Sequence, residues 1–268
     1  MNANECIQKA LPSYEKPPVN EVYCGMRFRT PEKLKIPHFG LLWEKLRSRY
    51  PKIEHKPPVE ATRGQVLMDS STGLILPRMW FINEQDNKLV QFQMDQLYFN
   101  WRKRGDEYPR YPQIITGFEE VVGIVKGLFQ EELLGDLEPV EYQLTYMNHI
   151  PKGQGWDTTL DLGHIFKDFL WTDTDRFLPQ PTSYVWQARF QLPDSKGNMT
   201  IRLSEGTQIE DKSQKLLILE LTTKGLVEQI GNGVSIRQWY DVAREWIVRG
   251  FTDITTPEMH KIWEREDA

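Results

Sequence analysis

Apolar and polar residues alternate with the period of a β-strand in several parts of the chain. Near the start, Val22, Cys24 and Met26 fall on one side of an extended segment and polar or aromatic residues fall between them. A similar alternation runs through residues 140–148 and 184–192. Because successive side chains of a strand point to opposite faces, these segments predict strands with one buried face.

Further strands follow from the same pattern and from turn signals. Residues 79–82 and 88–94 flank the polar loop 83–87, which predicts a hairpin. Residues 216–221 are apolar on both faces, as in a central strand. Residues 53–60 contain Pro57-Pro58 and predict an extended, polyproline-like segment instead.

Apolar residues spaced three and four positions apart predict two long amphipathic helices. The stronger pattern spans residues 236–254, with Ser235 as its N-cap. The other runs from about residue 112 to 134 despite three glycines, each costing about 1 kcal/mol relative to alanine. At this spacing the glycines also favour the close approach of another element. Shorter helices are predicted at residues 39–50, 161–171 and 257–263.

The elements repeat in order. Residues 17–28 and 138–147 each open with a Pro-Val pair, an acidic residue and a strand, and a helix, several strands and a long helix follow in both cases. We therefore predict an α+β fold of two related strand–helix–strands–helix units, with antiparallel sheets packed against a long amphipathic helix. The predicted divisions are a flexible tail at 1–16, a first unit at 17–137 and an intimately packed second unit at 138–268. A continuous sheet with helices on one side is the expected arrangement.

Composition indicates a globular protein of the cytoplasm. The 268 residues are 39% hydrophobic and 26% charged, and the formal net charge of −5 makes nucleic acid an unlikely partner. The two cysteines, Cys6 and Cys24, do not form a disulfide framework, and we find neither a signal peptide nor a membrane-spanning run. The nine tryptophans favour the presence of a binding surface. A homodimer is one assembly that would use such a surface.

Sequence motifs give no catalytic or cofactor assignment. The chain contains no G-x-x-x-x-G-K-[ST], G-x-G-x-x-G or G-x-S-x-G sequence, and its five histidines and two cysteines lack metal-ligand spacing. We therefore predict no catalytic residue, no metal ligand and no cofactor.

The most suggestive cluster lies between a strand end and a helix start. Four cations and three large aromatic residues occur between Trp101 and Tyr111. Arginine binds phosphate or carboxylate in a bidentate manner, and the following helix adds a positive dipole end. The candidate residues here are Trp101, Arg102, Arg104, Tyr108, Arg110 and Tyr111. In the structural interpretation, Trp101 and Tyr111 are core anchors and the cations pair with Asp106 and Glu107.

A second cluster supports an alternative. Asn148 and His149 are followed by Asp157, Asp161 and His164, which would form a metal or acid–base site if the fold brought them together. This arrangement predicts a metal-dependent or nucleic-acid-processing enzyme subunit. In the structural interpretation, the segment is a strand-end loop with a helix-capping aspartate.

Several segments together resemble a family of sporadically distributed, uncharacterised bacterial proteins. They are Pro17–Val22, Phe99–Arg102, Tyr108–Tyr111, Thr145–Ile150 and Phe251–Trp263, which occur in the same order along nearly the whole chain. The resemblance implies that Asn100, Asn148 and His149, with the cluster around Trp101, belong to family-defining segments. Patchy distribution is typical of mobile, defence or toxin–antitoxin genes. We therefore predict a non-enzymatic binding or adaptor protein, such as an antitoxin, chaperone or sensor, that recognises a protein partner or an anionic small ligand.

Overall fold

The fold is α+β, and its described residues form one nine-stranded antiparallel sheet and six α-helices. The structure, a computed structural model, describes residues 10–59, 73, 76–105, 107–169, 177–208, 214–231 and 234–266. The strands are β1 Val19–Phe28, β2 Lys52–Lys56, β3 Arg78–Ile82, β4 Lys88–Gln93, β5 Gln96–Arg102, β6 Pro139–Pro151, β7 Val185–Gln191, β8 Asn198–Thr207 and β9 Lys215–Leu226. The helices are α1 Ile36–Leu46, α2 Arg110–Glu131, α3 Leu162–Ile165, α4 Val227–Ile230, α5 Ile236–Ile254 and α6 Pro257–Ile262.

The strands are arranged around a central β1–β6 pair. Their order is β2-β3-β4-β5-β1-β6-β9-β8-β7. Outward from β1 the next strand is β5, and outward from β6 it is β9, so the strand that ends each half lies beside the strand that opens it. In the central pair Cys24 lies opposite Leu144. On either side of them, Val22 lies opposite Tyr146 and Met26 opposite Tyr142.

The two long helices pack on the same face of this sheet. The Tyr240 ring of α5 lies 5.3 Å from Phe118 of α2, and its hydroxyl donates to the Gly25 carbonyl of β1 at 2.5 Å. At Gly117 of α2, a methyl group in place of a Cα hydrogen would lie 2.7 Å from the Phe99 ring. The close approach expected of the helix glycines therefore occurs at this position, where only glycine lets the helix lie directly on β5.

The closing helix matches its prediction. α5 begins after Ser235, whose hydroxyl accepts from the Gln238 N–H at 3.2 Å while the Gln238 side chain accepts from the Ser235 N–H at 2.8 Å. This reciprocal pair satisfies helix N–H groups that lack an internal partner. Trp239 and Tyr240 are buried and Trp246 is half-buried.

Three predicted segments differ in the structure. Residues 53–60 were expected to be polyproline-like, but Lys52–Lys56 form edge strand β2, because the prolines that exclude ladder pairing begin only at Pro57. α1 starts earlier than expected, since Pro37 is favourable in the first turn of a helix. The helix expected at 161–171 is the short α3, and residues 170–176 lie outside the described residues.

The described end of the predicted tail is packed against the C-terminal segment. Tyr14 is buried and forms a β-bridge with Arg265, and the Glu15 N–H donates to the Glu264 carbonyl at 2.9 Å. Residues 10–16 therefore connect the start of the chain to its end. None of the described helices is both long and apolar enough to cross a membrane.

The sheet face opposite α2 and α5, here called the polar face, carries a hydrogen-bonded network. The Gln143 amide donates to the Thr145 hydroxyl at 3.1 Å, and the Thr145 and Thr222 hydroxyls lie 2.8 Å apart. Both threonines are buried although they are polar. Their pairing satisfies groups that would otherwise cost free energy to bury.

Candidate functional site

Strand β5 divides the predicted cluster between the two faces of the sheet. Trp101 points to the helix side, is 2% exposed and packs its ring 5.1 Å from that of Tyr108. Its neighbours Asn100 and Arg102 point to the polar face. Consecutive residues of a strand point to opposite faces, so the predicted residues do not form one surface.

Asn100 is held within a polar network. Its amide donates to the Glu21 carboxylate at 2.6 Å, and its carbonyl accepts from the Gln91 amide at 2.8 Å. Asn100 is 2% exposed, and burial raises the pKa of Glu21. These contacts bridge strands β1, β5 and β4.

The pH dependence of stability tests this network. A carboxyl whose pKa is raised by folding stabilises the fold below its unfolded pKa, and this contribution is lost as the pH rises through the folded pKa. Glu21→Gln keeps an acceptor for Asn100 and removes the titration. We expect the stability of the variant relative to the natural protein to increase as the pH rises above 4.5, the ordinary pKa of glutamate, as measured by urea unfolding. A difference that does not change with pH would contradict this assignment.

Arg102 and Arg104 are paired with one carboxylate. Both guanidinium groups bond to Asp86, and the Arg104 Nε lies 2.8 Å from Asp86 Oδ2. Burial acts to raise the pKa of Asp86, but the bonds and charges of Arg104 and Arg102 lower it. Asp86, and not Glu107, therefore pairs with both arginines and offsets one of their two positive charges. Asp106 lies outside the described residues.

Four other predicted residues, Tyr108, Arg110, Tyr111 and Asn148, meet at one end of the sheet, where α2 begins. They line a pocket of about 410 Å³ between the start of α2, the middle of α5 and the floor formed by β6 and β9. We call it the Tyr–Arg pocket. Its polar lining residues include Tyr108, Arg110, Tyr111, Tyr146, Asn148 and Arg244.

Arg110 is fixed at the entrance of the pocket by backbone geometry and by the N-terminal segment. It is the first residue of α2, with a φ of 61°, which is a left-handed conformation uncommon for a residue other than glycine. Its guanidinium donates to the Tyr14 carbonyl at 2.7 Å and lies 3.6 Å from the Glu15 carboxylate. The packed residues 13–16 therefore hold one cation of the pocket.

Arg244 supplies the second cation. It projects from α5, and its guanidinium carbon lies 4.9 Å from the centre of the Tyr111 ring. The Tyr111 hydroxyl donates to Asp241 at 2.8 Å. Among the described residues no carboxylate forms an ion pair with Arg244. Glu266 also lines the pocket and accepts from the Ser13 hydroxyl at 2.5 Å, so the pocket has two cations and one carboxylate.

The floor of the pocket is polar but uncharged. Burial raises the pKa of Tyr146, and the neighbouring Tyr108 hydroxyl adds to the increase. Burial also raises the pKa of Tyr108. Asn148 is 2% exposed and donates to the Leu219 carbonyl at 3.1 Å. At neutral pH the tyrosines are therefore hydrogen-bond donors and not bases.

A second cleft adjoins the Tyr–Arg pocket. It has a volume of about 940 Å³, and Tyr108 and Arg110 line both cavities. His149 and Arg104 line only the second cleft. His149 is half-buried, and burial lowers its pKa. The structure thus places His149 in the cleft that adjoins the Tyr–Arg pocket, and not in the pocket itself.

The residues of the alternative site do not form a metal centre in the described part of the chain. Asp161 accepts from the backbone N–H groups of Asp157 and Thr158 at 3.0 and 2.8 Å, and these bonds lower its pKa. His164 is exposed and lies 3.9 Å from Asp161. Within the described ranges, no three histidine, cysteine, aspartate or glutamate side chains are grouped in a way that could hold a metal ion. Asp161 therefore completes the capping box of the 3₁₀ turn Thr159–Asp161, whose N-cap is Thr158, and makes no side-chain capping bond to α3.

Sequence reasoning missed Arg244 and Tyr146. Tyr146 lies within a segment that carries the family resemblance, so that signal pointed to it. Arg244 lies among the polar positions of α5, where nothing in the local pattern distinguishes it from a solvated cation. Only the packing of α5 beside α2 brings it to Tyr111.

Comparisons with known proteins find no matching family model, no matching curated protein and no matching solved structure.

Proposed function

We propose that this chain is a non-enzymatic binding protein whose Tyr–Arg pocket holds a small organic anion. The observation that carries the proposal is the convergence of Arg110 from α2 and Arg244 from α5 on one pocket with tyrosine and asparagine donors. Arginine and neutral hydroxyl groups are suited to carboxylate or phosphate oxygens.

The apolar part of the lining defines the rest of the ligand. Val19, Leu221, Ile247 and Phe251 share the pocket with the polar groups, and its volume of about 410 Å³ suits a small molecule. The expected ligand is amphipathic, with one anionic group near the arginines and an apolar body against the strands.

The biological setting rests on the resemblance to sporadically distributed bacterial proteins. It supports a cytoplasmic sensor, antitoxin or chaperone of a defence or toxin–antitoxin operon, in which the anion or a protein partner reports a cellular state. In this role the ligand changes the fraction of the protein that is competent to bind its partner.

We further propose that the two halves derive from one duplicated unit. Support comes from the strand order, which leads from each opening strand to the closing strand of its own half. It also comes from the central pair, in which Val22 and Met26 lie opposite Tyr146 and Tyr142 around Cys24 and Leu144. The Tyr–Arg pocket then uses one cation from each copy.

A ligand-dependent increase in thermal stability is expected for the purified protein. The probes are benzoate, octanoate and phenyl phosphate, each titrated during differential scanning fluorimetry. A ligand that binds only the folded state stabilises it by about 2.7 kcal/mol at a concentration 100 times its Kd. Arg244→Gln removes a charge-assisted bond and is expected to weaken binding by roughly tenfold or more.

Arg47→Gln is the matched control, because Arg47 lies on the surface near α1 and pairs with Glu44, away from the pocket. It should leave the shift unchanged. If none of the three probes stabilises the protein, or if Arg244→Gln binds as well as Arg47→Gln does, the proposed site is wrong. The relative effects of the carboxylates and phenyl phosphate identify the preferred anionic group.

A further inference from the structure

The two edges of the sheet differ in their suitability for pairing. At one edge, β7 pairs with β8, and no other described strand pairs with it. Its side chains include exposed apolar groups, with Val185 67% and Phe190 40% exposed. A long apolar edge strand offers unpaired N–H and C=O groups to another chain.

The opposite edge has the features of a protected strand. β2 has the sequence Lys52-Ile-Glu-His-Lys56, and all its side chains are exposed or nearly so. If two β2 strands paired symmetrically about Glu54, the two glutamates would face each other, and each Lys52 would face a Lys56. Like charges directly opposite each other in a sheet are destabilising.

Symmetric pairing of β7 has no such conflict. In the antiparallel register that pairs the whole strand, Ala188 lies opposite Ala188 of a second copy. Trp186 then lies opposite Phe190 on the helix side of the sheet, and Gln187 lies opposite Arg189 on the polar face. Arg189 is the only charged residue of β7, so no two like charges meet.

On the helix side of the sheet, the surface beside β7 is not covered by α5. A groove of about 1060 Å³ separates α5 from the outer strands, and Trp246, Met199, Ile201 and Phe190 contribute its apolar lining. α5 packs on β6, β8 and β9, which leaves Phe190 of β7 exposed at the margin of the groove. A second copy paired through β7 would place its own Trp186 beside this Phe190.

We propose that two copies of the chain form a symmetric dimer through antiparallel β7–β7 pairing, which joins their sheets into one of eighteen strands. The isologous contact is closed, because each β7 edge is used once and the outermost strands become the two charged β2 edges. This proposal does not depend on the Tyr–Arg pocket.

The register predicts opposite effects for two charges placed at the same exposed position. Gln187→Lys faces Arg189 of the second copy in two symmetric pairs and is expected to raise the dimer Kd by roughly fivefold or more. Gln187→Glu forms two opposite-charge pairs and is expected to lower the Kd by a similar factor. The Kd is measured by sedimentation velocity over a dilution series, with the dimer identified by a mass twice the 31.6 kDa of one chain.

Two controls separate the interface from the fold. The charge at residue 187 also meets Arg202 of β8 within one copy, so thermal unfolding at a concentration where each variant is monomeric measures any effect on the protomer. The double variant Gln187→Lys with Arg189→Glu places opposite charges across the dyad in two pairs and should lower the Kd to or below the natural value, as Gln187→Glu does. A protein that stays monomeric up to about 100 µM, including as Gln187→Glu, overturns the proposal, and so does a dimer whose Kd is the same for the Lys and Glu variants.

Discussion

Tyr240→Ala is expected to lower the free energy of unfolding by about 3–5 kcal/mol, the range observed for removal of a large buried ring. The Tyr240 side chain is fully buried and lies 5.3 Å from Phe118 and 5.9 Å from Tyr142. It thus joins the helix of the first half to the helix and opening strand of the second.

Tyr240→Phe isolates the hydroxyl group. This variant keeps the ring but removes the 2.5 Å bond to the Gly25 carbonyl, so a loss of about 1–3 kcal/mol is expected. Both variants are measured by urea unfolding followed in parallel by circular dichroism and tryptophan fluorescence. Coincident transitions are expected because Tyr240 couples the two halves. Two separate transitions in the natural protein would show that the halves are not one cooperative unit. A loss below about 1 kcal/mol for Tyr240→Ala would contradict the buried position of its ring.

The elements that could be predicted from sequence are those in which one local pattern decides the structure. α5 has its cap at Ser235 and an apolar stripe that continues to Ile254, and both ends were predicted correctly. The hairpin of β3 and β4 was also predicted, since a polar loop separates two alternating segments. In such cases the pattern that determines the element lies within about twenty residues of sequence.

The division of the Trp101–Tyr111 cluster could also have been predicted in part. Asn100, Trp101 and Arg102 are consecutive residues of one strand, so alternation alone assigns Trp101 to one face and its neighbours to the other. The residue types of the cluster, and not its periodicity, suggested a single site.

The convergence of the candidate site is not local information. Arg110 and Arg244 lie on different helices, and they share a pocket only because α2 and α5 pack on the same face over β1 and β6. Similarly, the partner of Arg104 is Asp86 of the hairpin loop, and two whole strands, β4 and β5, separate the two residues in the sequence. Strand order decides these contacts, and the local pattern does not contain strand order.

Gly25 gives the sharpest case of a residue whose role depends on strand pairing. It lies in the middle of β1, where strand propensity favours valine over glycine by up to about 1 kcal/mol. In the structure, a methyl group at Gly25 would lie 1.9 Å from the Tyr98 ring, which crosses the polar face above it. Gly25→Val is therefore expected to destabilise the protein by about 1–3 kcal/mol, although valine has the higher strand propensity.

A double-mutant cycle in urea unfolding distinguishes this clash from other effects of the substitution. Tyr98→Ala removes the ring, so Gly25→Val in that background should cost at least about 1 kcal/mol less than in the natural protein. Tyr98→Phe is the matched control, because it removes only the hydroxyl, which lies 3.4 Å from Gln143, and keeps the obstructing ring. In that background the cost of Gly25→Val should remain undiminished. Additive effects of Gly25→Val and Tyr98→Ala would mean that the Tyr98 ring does not lie over Gly25. The register in which β1 pairs with β5, with Gly25 opposite Tyr98, would then be wrong.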